Sequence, residues 1–345
     1  MKNDPPADSQ ELLDRDLARQ NIEGYWLLGP ENYVPYPATA VLPHIWKWDD
    51  VYGMLKRAGE VMNLDDAGRR TLRLINPGLK DRHFTTHTIH LSIQYVKPGE
   101  HAGAHRHTMA AFRFVIMGHG AYTTVNGQQC VMEEGDLILT PQMTWHDHSG
   151  GEDGAIVWLD GLDFPLVQSL NQLVFESYGK PVQAIQQSSE QVAPLFRYPR
   201  PAGACAGDFF HYKWPDTEAA LRARVKSSPA PDPFDGYPVE FRNPATGGPT
   251  LPTLQCALQL LKPGQETQVH RHTSTVIYHA FKGRGSTLVG DRRYDWAQGD
   301  SFVVPVWYAH GHRNGSAKDD AMLFSVSDGP VLKSLGLYRE EGLKT

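Results

Sequence analysis

Two histidines separated by one residue, His105 and His107, sit in the stretch PGEHAGAHRHT, and a third, His146, follows in GDLILTPQMTWHDH. Alternate residues of a β-strand project to one face, so a single strand can aim His105 and His107 at the same point. A third imidazole from a later strand would complete a facial triad on a metal ion and leave the opposite face open. Neutral imidazoles suit zinc, copper, iron or nickel. Three of them leave the charge of the ion uncompensated, which favours anionic chelating ligands. An octahedral ion held this way keeps up to three open positions, room for a bidentate anion and dioxygen together. Open-faced non-haem Fe(II) sites use that geometry for oxygen activation.

The elements that must position these side chains read as a small β-barrel. AFRFVIMGHGAYTTVNG alternates and is rich in β-branched and aromatic residues, Gly118 and Gly120 break it, and Asn126-Gly127 signals a two-residue hairpin. VMEEGDLILTP supplies another strand, entered at Gly135-Asp136 and left at Pro141. The pattern resembles the cupin family. Gly99, His105, His107 and Gly118 match its first motif, and Gly135, Pro141 and His146 match its second. Two positions depart from it. Ala110, Ala111 and Phe112 fill the region where many cupins carry a ligand glutamate, and Met143 replaces the glycine usual after the proline.

The chain then repeats itself. Pro98-Gly99 recurs as Pro263-Gly264, HRHT at 105–108 as HRHT at 270–273, and Gly118 and Gly120 as Gly283 and Gly285. Gly135-Asp136, Pro141 and His146 recur as Gly299-Asp300, Pro305 and His310; Pro165, Ser169 and Leu170 recur as Pro330, Ser334 and Leu335; Asn76-Pro77 is echoed by Asn243-Pro244. The offset stays within 164–167 residues. The resemblance therefore implies a mainly β bicupin, two double-stranded β-helix (jelly-roll) barrels with peripheral helices. His270, His272 and His310 form a second triad that could hold a second metal. The domain reading is an N-terminal helical segment over 1–75 packing on the barrels, a catalytic first cupin over 76–170, connecting helices and loops over 171–242, and a second cupin with a C-terminal helix over 243–345.

Outside the barrels, Asp8 and Glu11 form a capping-box pattern for a helix over 8–20 with Leu13 and Leu17 on one face. A second helix starts at Asp50, with Val51, Met54, Leu55, Ala58 and Met62 as its buried stripe. RRTLRLINPGL turns into strand, and FPLVQSLNQLVFESYG reads as helical. Residues 199–236 read as loop-rich, with SSPAPDPFDG as a linker, and are expected to lie over a barrel or a neighbouring subunit.

Composition narrows the function classes. The 345 residues are 40% hydrophobic and 10% aromatic, enough for sizeable cores, and a net charge of −6 with no basic stripe argues against a nucleic-acid partner. No run approaches the length of a membrane span, and MKNDPPADSQELL lacks the apolar core of a signal peptide. Cys130, Cys205 and Cys256 make no CxxC and fit scattered reduced thiols in a cytoplasmic protein.

HRHT, AFRFVIMGHGAYTTVNG, GDLILTP, WHDH and WLDGLD look like the gentisate 1,2-dioxygenase family, which includes salicylate and 1-hydroxy-2-naphthoate dioxygenases. The resemblance covers about Asn76 to Leu335. It implies an Fe(II)-dependent enzyme, with one iron per chain in the first cupin. The enzyme would use O2 to open a 2-hydroxybenzoate ring between the carboxyl-bearing and hydroxyl-bearing carbons, converting gentisate to maleylpyruvate. It also implies a homotetramer, with 199–250 as the place to look for subunit contacts, and it puts Gln94 at a substrate-lining position.

Other residues fit that chemistry. Arg113, between Phe112 and Phe114, shares the inward face by alternation, and its fork suits a carboxylate or an oxygen ligand. His148 lies on the strand face of His146 and could move the hydroxyl proton. Asp160 could orient His148, contact a ring hydroxyl or cap a turn at a strand end. Arg69, Arg70 and Arg73 are further carboxylate partners to be placed, and His90 stands where relatives are expected to carry a larger aromatic. Salicylate and 1-hydroxy-2-naphthoate remain alternative substrates. A cupin sugar-phosphate isomerase would need a basic cluster that the barrel lacks. A storage or ligand-sensing bicupin would tolerate loss of ligands, whereas both triads are complete here. The halves nevertheless differ. Arg113, Asp160 and Trp145 correspond to Tyr278, Ser325 and Ala309, while Gln94 and His148 are matched by Gln259 and His312. That selective loss places the chemistry in the first cupin.

Overall fold

The computed structural model describes residues 7–63, 70–152, 154–186, 211–228, 230–244 and 246–343. Two compact units are distinguished, Met1–Ala38 and Thr39–Thr345. In the first, a helix spans Ala7–Arg19, so Asp8 lies within it rather than capping it, and Trp26 Nε1 donates to Asp14 Oδ1 at 3.0 Å.

The larger unit holds two barrels, each built from a six-stranded and a five-stranded sheet. In the first barrel the six-stranded sheet runs His211–Tyr212, Leu137–Thr140, Ala111–Met117, Ile156–Leu162, His90–Val96, Thr71–Arg73. The five-stranded sheet runs Phe175–Ser177, His101–His107, His146–Ser149, Tyr122–Val125, Gln128–Val131. The second barrel repeats the plan. Its six-stranded sheet runs His44–Trp46, Ser301–Val304, Val276–Lys282, Ala321–Ser327, Gln255–Leu261, Tyr237–Glu240, and its five-stranded sheet carries His310–Asn314, His270–His272 and, at the edge, Glu340–Gly342. Asn126 and Gly127 both take positive φ, 47° and 79°, as the hairpin between Tyr122–Val125 and Gln128–Val131 requires.

Alternation in the strands divides two cores. Inward residues such as Val96, Val115, Ile138 and Trp158 fill the first barrel, and Val276, Tyr278, Phe302 and Leu323 fill the second. Outward residues of both six-stranded sheets merge into one shared core. There Phe324 stacks on Phe114 at 4.1 Å and lies 5.6 Å from Phe112. Truncating such a buried phenylalanine costs about 3–5 kcal/mol.

The barrels also exchange edge strands. His44–Trp46, which precedes the first barrel in sequence, pairs with Ser301–Val304 of the second. His211–Tyr212, which precedes the second barrel, pairs with Leu137–Thr140 of the first. The recurring Gly-Asp explains itself at these junctions. Asp300 Oδ1 accepts from Trp48 N at 2.8 Å and Asp136 Oδ1 from Trp214 N at 2.7 Å. Gly299 and Gly135 have φ of 93° and 90°, and a Cβ at either would meet the Trp48 or Trp214 ring. The duplication therefore reaches back to Lys47-Trp48 and Lys213-Trp214, earlier than the motifs in the barrels revealed.

Several sequence expectations are corrected. The second helix spans Trp48–Val61, but Leu55 and Gly59 are its buried residues, whereas Met54 and Met62 are exposed. FPLVQSLNQLVFESYG is helical only over Phe164–Ser169, and Phe175–Ser177 is a strand added to the edge of the five-stranded sheet that carries His105, His107 and His146. Within 199–236, residues 199–210 lie outside the described residues, and Trp214–Ser227 is a helix rather than loop. Cys130 and Cys256 are buried free thiols, and burial pushes the Cys130 thiol up to about 12. Cys205 lies outside the described residues. Among the described residues, no helix is long and apolar enough to cross a membrane.

Candidate active site and its duplicate

His105 and His146 face each other across neighbouring strands, and His107 follows on the same face. The ring centroids of His146 lie 4.2 Å from His105 and 4.8 Å from His107, and one ligand atom from each of the three falls within 4.8 Å of the others. Each Nδ1 is engaged by backbone: His105 with Gly103 O at 2.7 Å, His107 with Met109 O at 2.9 Å, His146 with Thr144 O at 2.9 Å. Those bonds fix the tautomer and leave each Nε2 with its lone pair. His146 Nε2 is buried with no hydrogen-bond partner, and burial, reinforced by His105, holds this imidazole neutral, well below its ordinary pKa. Three converging imidazole nitrogens are a donor set that fits a divalent transition metal.

Met143 shows how the chain manages without the usual glycine. It adopts φ 58°, and its N donates to His107 O at 2.8 Å, bracing the strand that carries two of the triad. Trp307 repeats this in the second barrel at φ 64°, donating to His272 O at 2.9 Å.

The six-stranded sheet supplies the side chains on the opposite side of the barrel interior. Asp160 pairs in register with both Arg113 and Ser92, and Trp158 pairs with Gln94. Arg113 is 1% exposed; its guanidinium donates to Thr140 Oγ1 at 3.0 Å and lies 3.7 Å from Asp160 Oδ1. Gln94 is fully buried, and neither amide atom has a hydrogen-bond partner. Buried polar groups are normally satisfied, and Gln259 Nε2 at the matching position of the second barrel is also without a partner. His90 sits between Phe84 and Phe164, each with its ring centroid at 6.4 Å. Burial, with Arg73 nearby, lowers its pKa to about 4.

The inward placements of Arg113, Gln94 and His148 agree with strand alternation. The partner of Asp160 does not. His148 Nδ1 is held by Thr123 Oγ1 at 2.8 Å, and Asp160 lies in mid-strand beside Arg113, neither orienting His148 nor capping a turn. Arg70 is committed elsewhere, pairing with Glu100 through two nitrogens at 2.8 and 2.7 Å. Arg69 lies outside the described residues. Phe175, which stacks on His105 at 5.0 Å, and Trp158, 5.5 Å from His148, went unrecognised. Phe175 falls in the run misread as helix, and only its pairing with His107 reveals it.

The second triad, His270, His272 and His310, is also buried and converges within 4.8 Å. His272 Nδ1 engages Ser274 O at 2.9 Å and His310 Nδ1 engages Tyr308 O at 3.0 Å. The wall has changed. Tyr278 and Ser325 face each other where Arg113 and Asp160 do in the first barrel. The loss of Trp145 at Ala309 is made good from another position: Arg106 lies over Trp145 at 4.4 Å, and Arg271 lies over Trp307 at 4.7 Å.

Comparison with known proteins decides the family. The cupin domain model matches twice, over residues 92–161 and 257–327. A 5-aminosalicylate 1,2-dioxygenase of Comamonas sp is 41% identical, across 96% of this chain and 90% of that protein. Gentisate 1,2-dioxygenase 1 of Aquipseudomonas alcaligenes is 34% identical across 94% of each. The chain belongs to the gentisate and salicylate 1,2-dioxygenase family. It shares the family's bicupin architecture. The crystal structure of a salicylate 1,2-dioxygenase from Pseudaminobacter salicylatoxidans superposes with a TM-score of 0.89 at 30% identity, covering 99% of both chains. The protein is thus an oxidoreductase, a ring-cleaving 1,2-dioxygenase of that family, and its triads fit the metal site such an activity needs.

Proposed function

We propose that the first cupin is an Fe(II) site that opens the ring of a 2-hydroxybenzoate carrying an electron-donating group at position 5, with gentisate as the reference substrate and maleylpyruvate as its product. The observation that carries this reading is the polar wall facing the triad, a buried Arg113–Asp160 pair and an unsatisfied Gln94 amide. Iron held by His105, His107 and His146 would supply open positions for the substrate's carboxylate and ortho-hydroxyl and would activate dioxygen.

The remaining work falls to the chain. Arg113 provides positive charge in a water-poor barrel, where a guanidinium fork orients a carboxylate strongly. Asp160 and Thr140 hold that fork in place. His148, its ring fixed by Thr123, takes the ortho-hydroxyl proton. Gln94 offers both a donor and an acceptor to the ring's polar substituents. Phe175 covers one side of His105. Across the reaction the bond between the carboxyl-bearing and hydroxyl-bearing carbons breaks, and both atoms of O2 enter the product.

A second reading, 5-aminosalicylate as preferred substrate, is favoured by the 41% identity to an enzyme named for it. Its amino group takes the place of the 5-hydroxyl of gentisate. The test is anaerobic Fe(II) loading followed by gentisate, 5-aminosalicylate, salicylate or 1-hydroxy-2-naphthoate in air-saturated buffer. We expect oxygen uptake matched by ring-opened product, fastest with the two 5-substituted acids. Faster turnover of salicylate or the naphthoate would overturn the substrate assignment, and no uptake with any of the four would overturn the reaction.

A further inference from the structure

We propose that the second barrel is a metal site of different design, in which the carboxylate of Glu340 joins His270, His272 and His310 on a divalent first-row cation and fastens the C-terminal strand to the barrel. This claim stands apart from the reaction assigned to the first barrel.

The argument begins with register. Phe175 pairs with His107 on the edge of the first five-stranded sheet, and Glu340 pairs with His272 at the same place in the second. The neighbouring pairs correspond too, Arg106 with Glu176 and Arg271 with Glu341, each joined by an ion pair. The two edge strands therefore share one frame, and the residue next to the triad has changed from a ring to a carboxylate. Phe234, from a different segment, supplies the ring that stacks on His270 at 4.5 Å.

Glu340 Oε1 lies 3.8 Å from His270 Nε2, while Oε2 accepts from the Tyr338 hydroxyl at 2.9 Å. Tyr338 thus anchors one carboxylate oxygen and leaves the other on the side of the triad. Two donors each about 2.0–2.2 Å from one ion sit about 3–4 Å apart; Glu340 Oε1 meets that separation toward His270, and joining the ion shared with His272 and His310 asks its partly exposed side chain to turn further inward. Within the triad, His310 Nε2 is fully buried and has no hydrogen-bond partner.

His270 and His272 open on a cavity of about 730 Å³ whose lining mixes Asp232, Asp235, Glu240 and Glu340 with Arg224, Arg242 and Lys333, Glu240 being paired with Arg242. Among the described residues, the charged group nearest the triad is the Glu340 carboxylate, and Tyr278 stands in place of the Arg113 fork. A carboxylate ligand also cancels part of the metal's charge and occupies a position that a chelating substrate would need. Because Glu340 belongs to the strand Glu340–Gly342, bound metal would cross-link that strand to His270–His272.

The test uses the full-length protein, stripped with chelator, reconstituted with Co(II) and desalted. Metal per chain is counted by mass spectrometry, and hydrogen exchange is followed over residues 337–343. Wild type is expected to hold two Co(II) per chain and His310→Ala one. Glu340→Gln, a partly exposed and nearly isosteric change, should lose one of the two about tenfold more readily to a competing chelator. Co(II) should slow exchange over 337–343 in wild type and not in Glu340→Gln. The proposal is overturned if wild type holds a single Co(II) that His310→Ala leaves in place. It is also overturned if Glu340→Gln retains both ions as tightly as wild type and its tail is protected equally.

Discussion

The two barrels carry the same three-histidine constellation on the same strands, yet their opposite walls diverge. In the first, Arg113 and Asp160 face each other across the six-stranded sheet and Phe175 lies on His105. In the second, Tyr278 and Ser325 take the first two places and Glu340 the third. What has stayed constant is scaffold: the Gly-Asp junctions, the exchanged edge strands, the left-handed residue after the barrel proline, and the arginine-over-tryptophan contact. A duplicated fold thus keeps its three-histidine geometry while a few inward side chains differ, and in the proposed function it is this wall facing the triad that distinguishes the two barrels.

The comparison can be broken by giving the first barrel the second's residue. Arg113→Tyr should lower kcat/KM by about 10²–10³ while iron content stays at the wild-type level, since Arg113 is not a metal ligand. Steady-state kinetics with metal analysis on the same samples checks this, and unaltered kcat/KM would remove Arg113 from the account.

A smaller effect tests what the halves share. Asp163 accepts from Ala110 N and from Thr253 Oγ1 of the other barrel, and Asp328 accepts from Thr275 N and from Thr88 Oγ1 in mirror fashion. Burial raises both carboxyls from an ordinary 3.8 to about 6. Between those values the folded state keeps a proton that the unfolded chain has lost, so this contribution to stability falls as pH rises from about 4 to about 6. Asparagine at either position removes that dependence. The Tm of Asp163→Asn relative to wild type should therefore increase from pH 4 to pH 7, and Asp328→Asn should show the same trend. A flat difference for either variant would contradict it.

How much was legible follows from whether a feature is local. The triads, the turn glycines and the duplication could be read because each is a short motif with fixed spacing. Arg113 and Gln94 followed from alternation along one strand. The partner of Asp160 did not, because cross-strand register, unlike alternation, depends on which strands meet. Phe175 and Glu340 escaped for a related reason. They sit on three-residue edge strands defined by their pairing with His105–His107 and His270–His272, and nothing in so short a run distinguishes strand from helix. The exposed Met54 and Met62 show the opposite error, a periodic stripe wider than the surface that covers it.

The central claim is that the first barrel performs the reaction although both barrels hold a triad. The direct measurement compares His107→Ala with His272→Ala for metal content and gentisate or 5-aminosalicylate turnover, with circular dichroism confirming fold. The account predicts that His107→Ala is inactive whatever metal it retains, and that folded His272→Ala keeps substantial turnover. A folded but inactive His272→Ala alongside a His107→Ala that still opens the ring would contradict it.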